Sequence, residues 1–344
     1  MAHTTHGPRT EQPAAEEWEL IAREDPLLSV RDLRTHFHTD DGELRAVDGV
    51  SFEIRPGEVL GLVGESGSGK SVTSLSLMGL IRPPGEIVGG EVRFDGEDLR
   101  GFSPERLRQL RGEEMSMVFQ EPMSALNPVF DIGWQVGEPL RVHRDLKHGA
   151  SRDRAVELMR RVGIPSPESR VDDYPFQFSG GMQQRAMIAM ALACEPRLLI
   201  ADEPTTALDV TIEAAILDLI RELNETMGMA TLLVTHDLGV VAEICDRVAV
   251  MYAGRIVEYG DVKTIFDDPR HPYTQGLLGC IPDPRTAQQS LDPVRGEPPD
   301  PREYPDGCHY ADRCAASIRE CHQTDPRLRR VAPDHFSACV WEDP

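Results

Sequence analysis

The sequence predicts an α/β fold built on a parallel sheet. Three observations carry that prediction. Short, largely apolar runs of strand length recur at residues 58–63, 198–201 and 230–235, as in strands buried on both faces. Segments with apolar residues at helical spacing separate them, at residues 71–81, 183–194 and 208–227, and alternation of the two implies parallel strands joined by helices. The first apolar run also leads through a glycine-rich turn directly into a helix.

That turn reads Gly64, Glu65, Ser66, Gly67, Ser68, Gly69, Lys70, Ser71. It fits G-x-x-x-x-G-K-[ST], and the strand before it and helix after it supply the context of a phosphate-binding loop. Bare glycines let backbone N–H groups converge on phosphate oxygens, and a helix N-terminus adds partial positive charge. In this pattern Lys70 reaches the β- and γ-phosphates, and Ser71 ligates Mg²⁺.

The remaining elements follow in order. Residues 27–37 read as a strand, Asp40-Asp41-Gly42 as a tight turn, and residues 46–54 as an antiparallel partner. Residues 91–94 form another short strand closed by Asp95-Gly96. An antiparallel β segment therefore precedes the α/β core. Ser103 and Pro104 are an N-cap and first helical residue. Arg106, Arg108 and Arg111 follow as a solvated face. Residues 115–120 form a buried strand. Residues 151–162 form a helix with Ser151 as its N-cap, so a mainly helical insertion is expected over residues 103–178. A short helix is expected at residues 238–245, and a hairpin at residues 248–259 turns on Ala253-Gly254. Beyond Pro269 the composition changes, with prolines dense over residues 282–305 and cysteines after them. This stretch reads as a separate extension.

At 344 residues with 40% hydrophobic content, the chain has room for two or three domains and an ordinary core. No apolar run approaches the ~20 residues of a membrane span. Residues 1–25 are polar, are interrupted by Pro8 and Pro13, and lack a signal-peptide core. They are expected to be a mobile tail on a cytosolic chain. The net charge of −22 disfavours nucleic acid as a partner, because neutralising phosphates needs basic surface.

A second phosphate-site element is the apolar run ending in Asp202 and Glu203. Asp202 is suited to hold Mg²⁺, and Glu203 to polarise an attacking water. Ser179, Gly180, Gly181 and Met182 open a helix, where a hydroxyl and bare glycine amides can meet a phosphate. Thr206-Ala207-Leu208-Asp209 follows the carboxylates, and His236 ends the next strand. In this order these pieces resemble the ATP-binding subunit of an ABC transporter, over residues 27–261. The resemblance implies an ABC-type P-loop NTPase core with antiparallel β, parallel-sheet and helical subdomains, bounded at residues 26–262. It makes residues 64–71 the Walker A loop and Gln120 the Q-loop glutamine, which touches Mg²⁺ and water and faces the membrane subunit. Residues 179–182 become the signature motif, with Phe178 and Met182 in place of the family's leucine and glutamine. Asp202 and Glu203 become Walker B and the catalytic glutamate, Asp209 the D-loop aspartate, and His236 the switch histidine. Phe37 is assigned either to adenine stacking or to core packing. The resemblance further implies a head-to-tail pair of ATPase subunits, each ATP held by the Walker motifs of one and the signature of the other.

His271-Pro272-Tyr273-Thr274, Leu277-Leu278 and Ile281-Pro282 look like the C-terminal extension of oligopeptide/dipeptide importer ATPases, as do residues 120–128 and 252–255. The extension then spans residues 263–344. It contains Cys308, Cys314, Cys321 and Cys339 at C-x5-C-x6-C-x17-C. In a chain without a secretion signal this favours a metal or iron–sulfur site over disulfides. The resemblance puts a [4Fe–4S] centre first, zinc second and unligated thiols third. Distance in sequence from the phosphate loop predicts a structural clip or an interaction surface.

The resulting expectation is an ATPase at the cytoplasmic face of the membrane that powers import of di- or oligopeptides. Its expected partners are two integral-membrane permease subunits, a second homologous ATPase and an extracytoplasmic solute-binding protein. Nickel or sugar import by the same machine remains an alternative. A soluble ABC ATPase of repair or translation fits less well, since there is one cassette, no sustained heptad repeat and an acidic surface. A metal-binding module with a vestigial ATP fold conflicts with Lys70, Glu203 and His236.

Overall fold

The computed structural model describes residues 25–121, 125–205, 209–281 and 294–341. Apart from Asp25, the expected N-terminal tail lies outside them, as do Thr206 to Leu208, Pro122 to Ser124 and the first half of the proline-rich stretch, residues 282–293. Two sheets pack face to face. Strands β1 (Leu28–Thr39), β2 (Gly42–Ile54), β4 (Gly85–Phe94) and β5 (Glu97–Asp98) form an antiparallel sheet in the order β2-β1-β4-β5. The larger sheet contains β3 (Val59–Val63), β6 (Met115–Val118), β7 (Leu198–Asp202), β8 (Ala230–Thr235), β9 (Arg247–Tyr252), β10 (Arg255–Asp261), β11 (Arg329–Ala332) and β12 (His335–Ser337). Its order is β11-β12-β10-β9-β3-β8-β7-β6, parallel from β9 to β6. The apolar faces of both sheets meet in one core, where Val30, Phe52 and Val92 pack with Leu60, Leu232 and Met251.

Register places the site. Val63 lies beside Thr235 on one side and Val250 on the other, and Asp202 beside Val234. The C-terminal ends of β3, β7 and β8 are therefore level, and the residues that leave them meet at one edge, where ligands bind in open α/β sheets.

Several expectations shift. The helix after the phosphate loop is Lys70–Leu77, shorter than residues 71–81. Gly79 at φ +60° ends it. Arg111, expected on a solvated face, bends back onto that end: its Nε and Nη2 donate to the carbonyls of Met78 and Gly79 at 2.7 and 2.8 Å. Ser103 does cap the next helix, Pro104–Glu113, accepting from the Arg106 N–H. Ser151 is no N-cap. It is buried inside the helix His148–Arg161, which starts three residues earlier, and its hydroxyl donates to His148 O. The helix predicted from residue 183 starts at Gly180. Strand β6 lies within residues 103–178 but pairs with β7 in the large sheet. The helices after it bury Val136, Leu158 and Met159 in a second core against Met187 and Ile188.

The largest difference concerns the extension. Strand β12 pairs with β10, and β11 with β12, so these late strands continue the main sheet. Glu258 in β10 and His335 in β12 are both fully buried, with His335 Nε2 2.7 Å from Glu258 Oε1. Pattern reading misses these strands because each is only three or four residues long. No helix among the described residues is long and apolar enough to cross a membrane.

Candidate functional site

The glycine loop is fixed by close packing. A Cβ on Gly64 would lie 2.1 Å from Met251 O, and one on Gly69, at φ +106°, 2.2 Å from Ala46 O. Neither position tolerates a side chain. The β9–β10 turn props the loop from beneath, with Gly254 N donating to Ser68 O at 2.9 Å.

Lys70 is 4% exposed, and its ammonium donates to Gly64 O and Glu65 O at 2.8 and 3.0 Å. Burial lowers its pKa; Glu203, Asp202 and Glu65 oppose that. Ser71 Oγ donates to Asp202 Oδ1 at 3.1 Å. Burial pushes the Asp202 carboxyl up to about 6, against the Ser71 hydrogen bond, with Glu203 adding to the rise and Lys70 opposing it. Glu203 follows at φ +45°, a conformation that β-strand residues avoid. Its backbone N–H donates to Val234 O at 2.8 Å. That turn aims the side chain at Gln120, whose Nε2 donates to Glu203 Oε2 at 2.9 Å. His236 Nδ1 lies 3.4 Å from Glu203 Oε1.

Residues 64–67, Gly69, Lys70, Ser71, Gln120, Glu203 and His236 line one cavity of about 750 Å³, within the size range of small-molecule sites. Leu44, Ala46, Val72, Leu277 and Pro301 complete its wall. Ser68 is buried behind the loop. Phe37 is not part of this cavity. Its ring lies close against Gly85, and the apolar wall comes from Leu44 and Ala46 of β2 instead. Ser179 caps the helix Gly180–Ala191 through Met182 N at 3.4 Å. Ser179 and Gly180 are exposed, whereas Gly181 packs against Ile212. None of Ser179 to Met182 lines the cavity, nor does Asp209, which opens the helix Val210–Met227.

Residues 47–206 match the ABC transporter family, and residues 257–321 match the oligopeptide/dipeptide transporter C-terminal region. A probable peptide ABC transporter ATP-binding protein of Sinorhizobium fredii is 50% identical over 317 residues, 92% of this chain and 95% of that relative. The chain belongs to the ABC transporter ATP-binding proteins. The dipeptide transport ATP-binding protein DppD of Escherichia coli K12 is 48% identical over 315 residues, 92% of this chain and 96% of the relative. Among solved structures, a dimeric ATP-binding cassette in a post-hydrolysis state with ADP and Pi is 28% identical, with TM-score 0.62. It covers 68% of this ABC chain and 98% of its own.

Sequence reasoning did not find the contacts that the extension makes with this site. Tyr273 Oη accepts from Glu65 N at 2.9 Å, and Arg313 pairs with the Glu65 carboxylate at 2.6 Å. Tyr273 also stacks in a cluster with Tyr252 and Tyr310. His271, buried and pushed down to about 4, accepts from Tyr273 N. The extension thus reaches the phosphate loop through Tyr273 and Arg313, contacts that its distance in sequence did not announce. Cys308, Cys314, Cys321 and Cys339 line one small cavity with His271, Tyr310 and Trp341. All are free thiols, and burial pushes Cys308 up to about 11. Among the described residues no group of three or more His, Cys, Asp or Glu is positioned to hold a metal ion.

Proposed function

We propose that this chain is the ATP-hydrolysing subunit that powers peptide import through an ABC transporter. The observation that carries the reading is the convergence of Lys70, Ser71, Gln120, Glu203 and His236 on one cavity at the ends of β3, β7 and β8. Lys70 and the loop N–H groups grip the phosphates. Ser71 and Asp202 fit Mg²⁺: a hydroxyl and a buried carboxylate already touch, and the carboxylate lacks a full counter-charge. When bound, Mg²⁺ supplies neutralisation of phosphate charge. Glu203 accepts a proton from the attacking water, held by Gln120 and beside His236.

Ser179 to Met182 act on a second protomer's ATP. The exposure of Ser179 and Gly180 at a helix N-terminus outside their own cavity supports this, as does the dimeric state of the solved relative. Peptide cargo is supported by the extension's family and by the names of the relatives. Two permease subunits, a second ATPase and a solute-binding protein complete the machine, placing this chain at the cytoplasmic face of the membrane. Exposed Phe130, Tyr174 and Phe176, with half-buried Trp134 stacked on Phe130, give the helical part an aromatic surface for the permease. The test is nucleotide retention: Lys70→Ala should abolish it, and unchanged retention overturns the reading.

From their number and spacing the four cysteines are proposed to hold a [4Fe–4S] centre; all four line one cavity, although as placed here they do not form a ligand set. Burial, with the neighbouring thiols adding to it, raises Cys308, Cys314 and Cys339, so thiolate ligation there needs a compensating cation. An anaerobically purified sample without iron and sulfide removes this assignment, and stoichiometric zinc replaces it.

A further inference from the structure

The cassette alone does not hold the phosphate loop. Glu65, the second residue of the loop, lines the nucleotide cavity. Its carboxylate accepts two hydrogen bonds from Arg313, Nη1 to Oε2 at 2.6 Å and Nη2 to Oε1 at 3.0 Å. Arg313 belongs to the extension and immediately precedes Cys314. Its side chain is 6% exposed, against 29% for Glu65.

The guanidinium is fixed on every side. Nε donates to Arg295 O at 2.8 Å and Nη1 to Tyr252 Oη at 3.3 Å. It also lies 5.6 Å from the Tyr252 ring and 5.9 Å from the Tyr310 ring. Leu277 and Pro301, also from the extension, form part of the same cavity wall.

A carboxylate at the mouth of a polyphosphate cradle is a liability, because like charges repel across a partly desolvated site. A two-point arginine both cancels that charge and fixes its direction. We propose that Arg313 is a positioning residue for nucleotide binding: it neutralises and orients Glu65, so that the C-terminal extension completes the ATP site of its own chain. The proposal rests on the reading that residues 64–71 grip ATP.

The experiment is equilibrium binding of MgATP to the full chain carrying Arg313→Gln, Arg313→Lys, Glu65→Gln, and Glu65→Gln with Arg313→Gln. Arg313→Gln should raise the Kd roughly tenfold at low salt, with the loss shrinking as salt rises. Arg313→Lys, which keeps the charge, should recover most of that loss and remains informative if the glutamine variant does not fold. In the Glu65→Gln background, Arg313→Gln should change the Kd less than about twofold, because the charge it neutralised is gone. Equal losses in both backgrounds would make Arg313 a mere prop of the extension and overturn the proposal, as would a lysine variant no better than glutamine. Lys70→Ala, run alongside, separates the two readings. Undiminished binding there overturns the loop assignment and this proposal together; loss there with none in Arg313→Gln overturns Arg313 alone.

Discussion

Replacing Glu258 by alanine should loosen the extension from the cassette. The carboxylate sits in β10 with no exposed side-chain surface. It accepts from Arg270 N at 2.6 Å, His271 N at 3.0 Å and His335 Nε2 at 2.7 Å. Alanine strands all three donors, the His271 and His335 donors buried and the Arg270 N–H half-buried. Each stranded donor costs about 1–3 kcal/mol, and neighbouring losses do not add fully, so a total near 4 kcal/mol is expected. For a chain of this size that lowers the thermal midpoint by roughly 5–10 °C. Glu258→Gln keeps one acceptor but turns an N–H towards another N–H, and should cost about half as much. Circular dichroism melts give the magnitude, and limited proteolysis gives the location, with new cuts appearing after β10. A midpoint within 1 °C of the parent and an unchanged cleavage pattern would refute the argument that this carboxylate joins the two parts.

Other perturbations test the site and its supports. Glu203→Gln keeps the shape of the contact with Gln120 but cannot take a proton; hydrolysis should fall by ~10²–10⁴ while ATP stays bound, and a rate within threefold of the parent sinks the base assignment. His271 and His309 are held down to about 4 by burial, below the ordinary histidine value. The unfolded chain therefore binds more protons between about pH 4 and 6.5, so the stability they confer is present above 6.5 and lost as pH falls towards 4. Urea midpoints measured across that window should drop steeply, and His309→Gln should flatten the slope. Arg111→Ala removes two donors from the end of the helix that follows the phosphate loop; a loss of about 1–3 kcal/mol is expected in urea unfolding, and no measurable loss would leave Arg111 a surface residue.

The hydrolytic constellation was legible because its parts are local. Residues 64–71 carry their own pattern, and Asp202, Glu203 and His236 close apolar runs whose parallel pairing brings them level. What stayed hidden depends on contacts between distant segments. Arg313 and Glu65 are 248 positions apart, and nothing near either one announces the other. Phe37 illustrates a different failure: an aromatic in a long hairpin is open to two assignments, and only the structure shows its ring beside Gly85, outside the cavity lining. Ser151 had the right residue type for a helix start, but Arg141 takes its hydroxyl as an acceptor at 3.2 Å inside the bundle.

The sheet edge at β10 is sealed by β12, residues 335–337, which lie far downstream of β10 in the chain. Until those residues leave the ribosome, a strand bearing Ile256, Val257 and Tyr259 presents unpaired N–H and C=O groups to any other extended chain. Polypeptides cut short in the extension before residue 335 should therefore be sticky rather than merely less active. Expression of a trimmed cassette ending at Asp261 calls for a substitute strand, not just a stop codon.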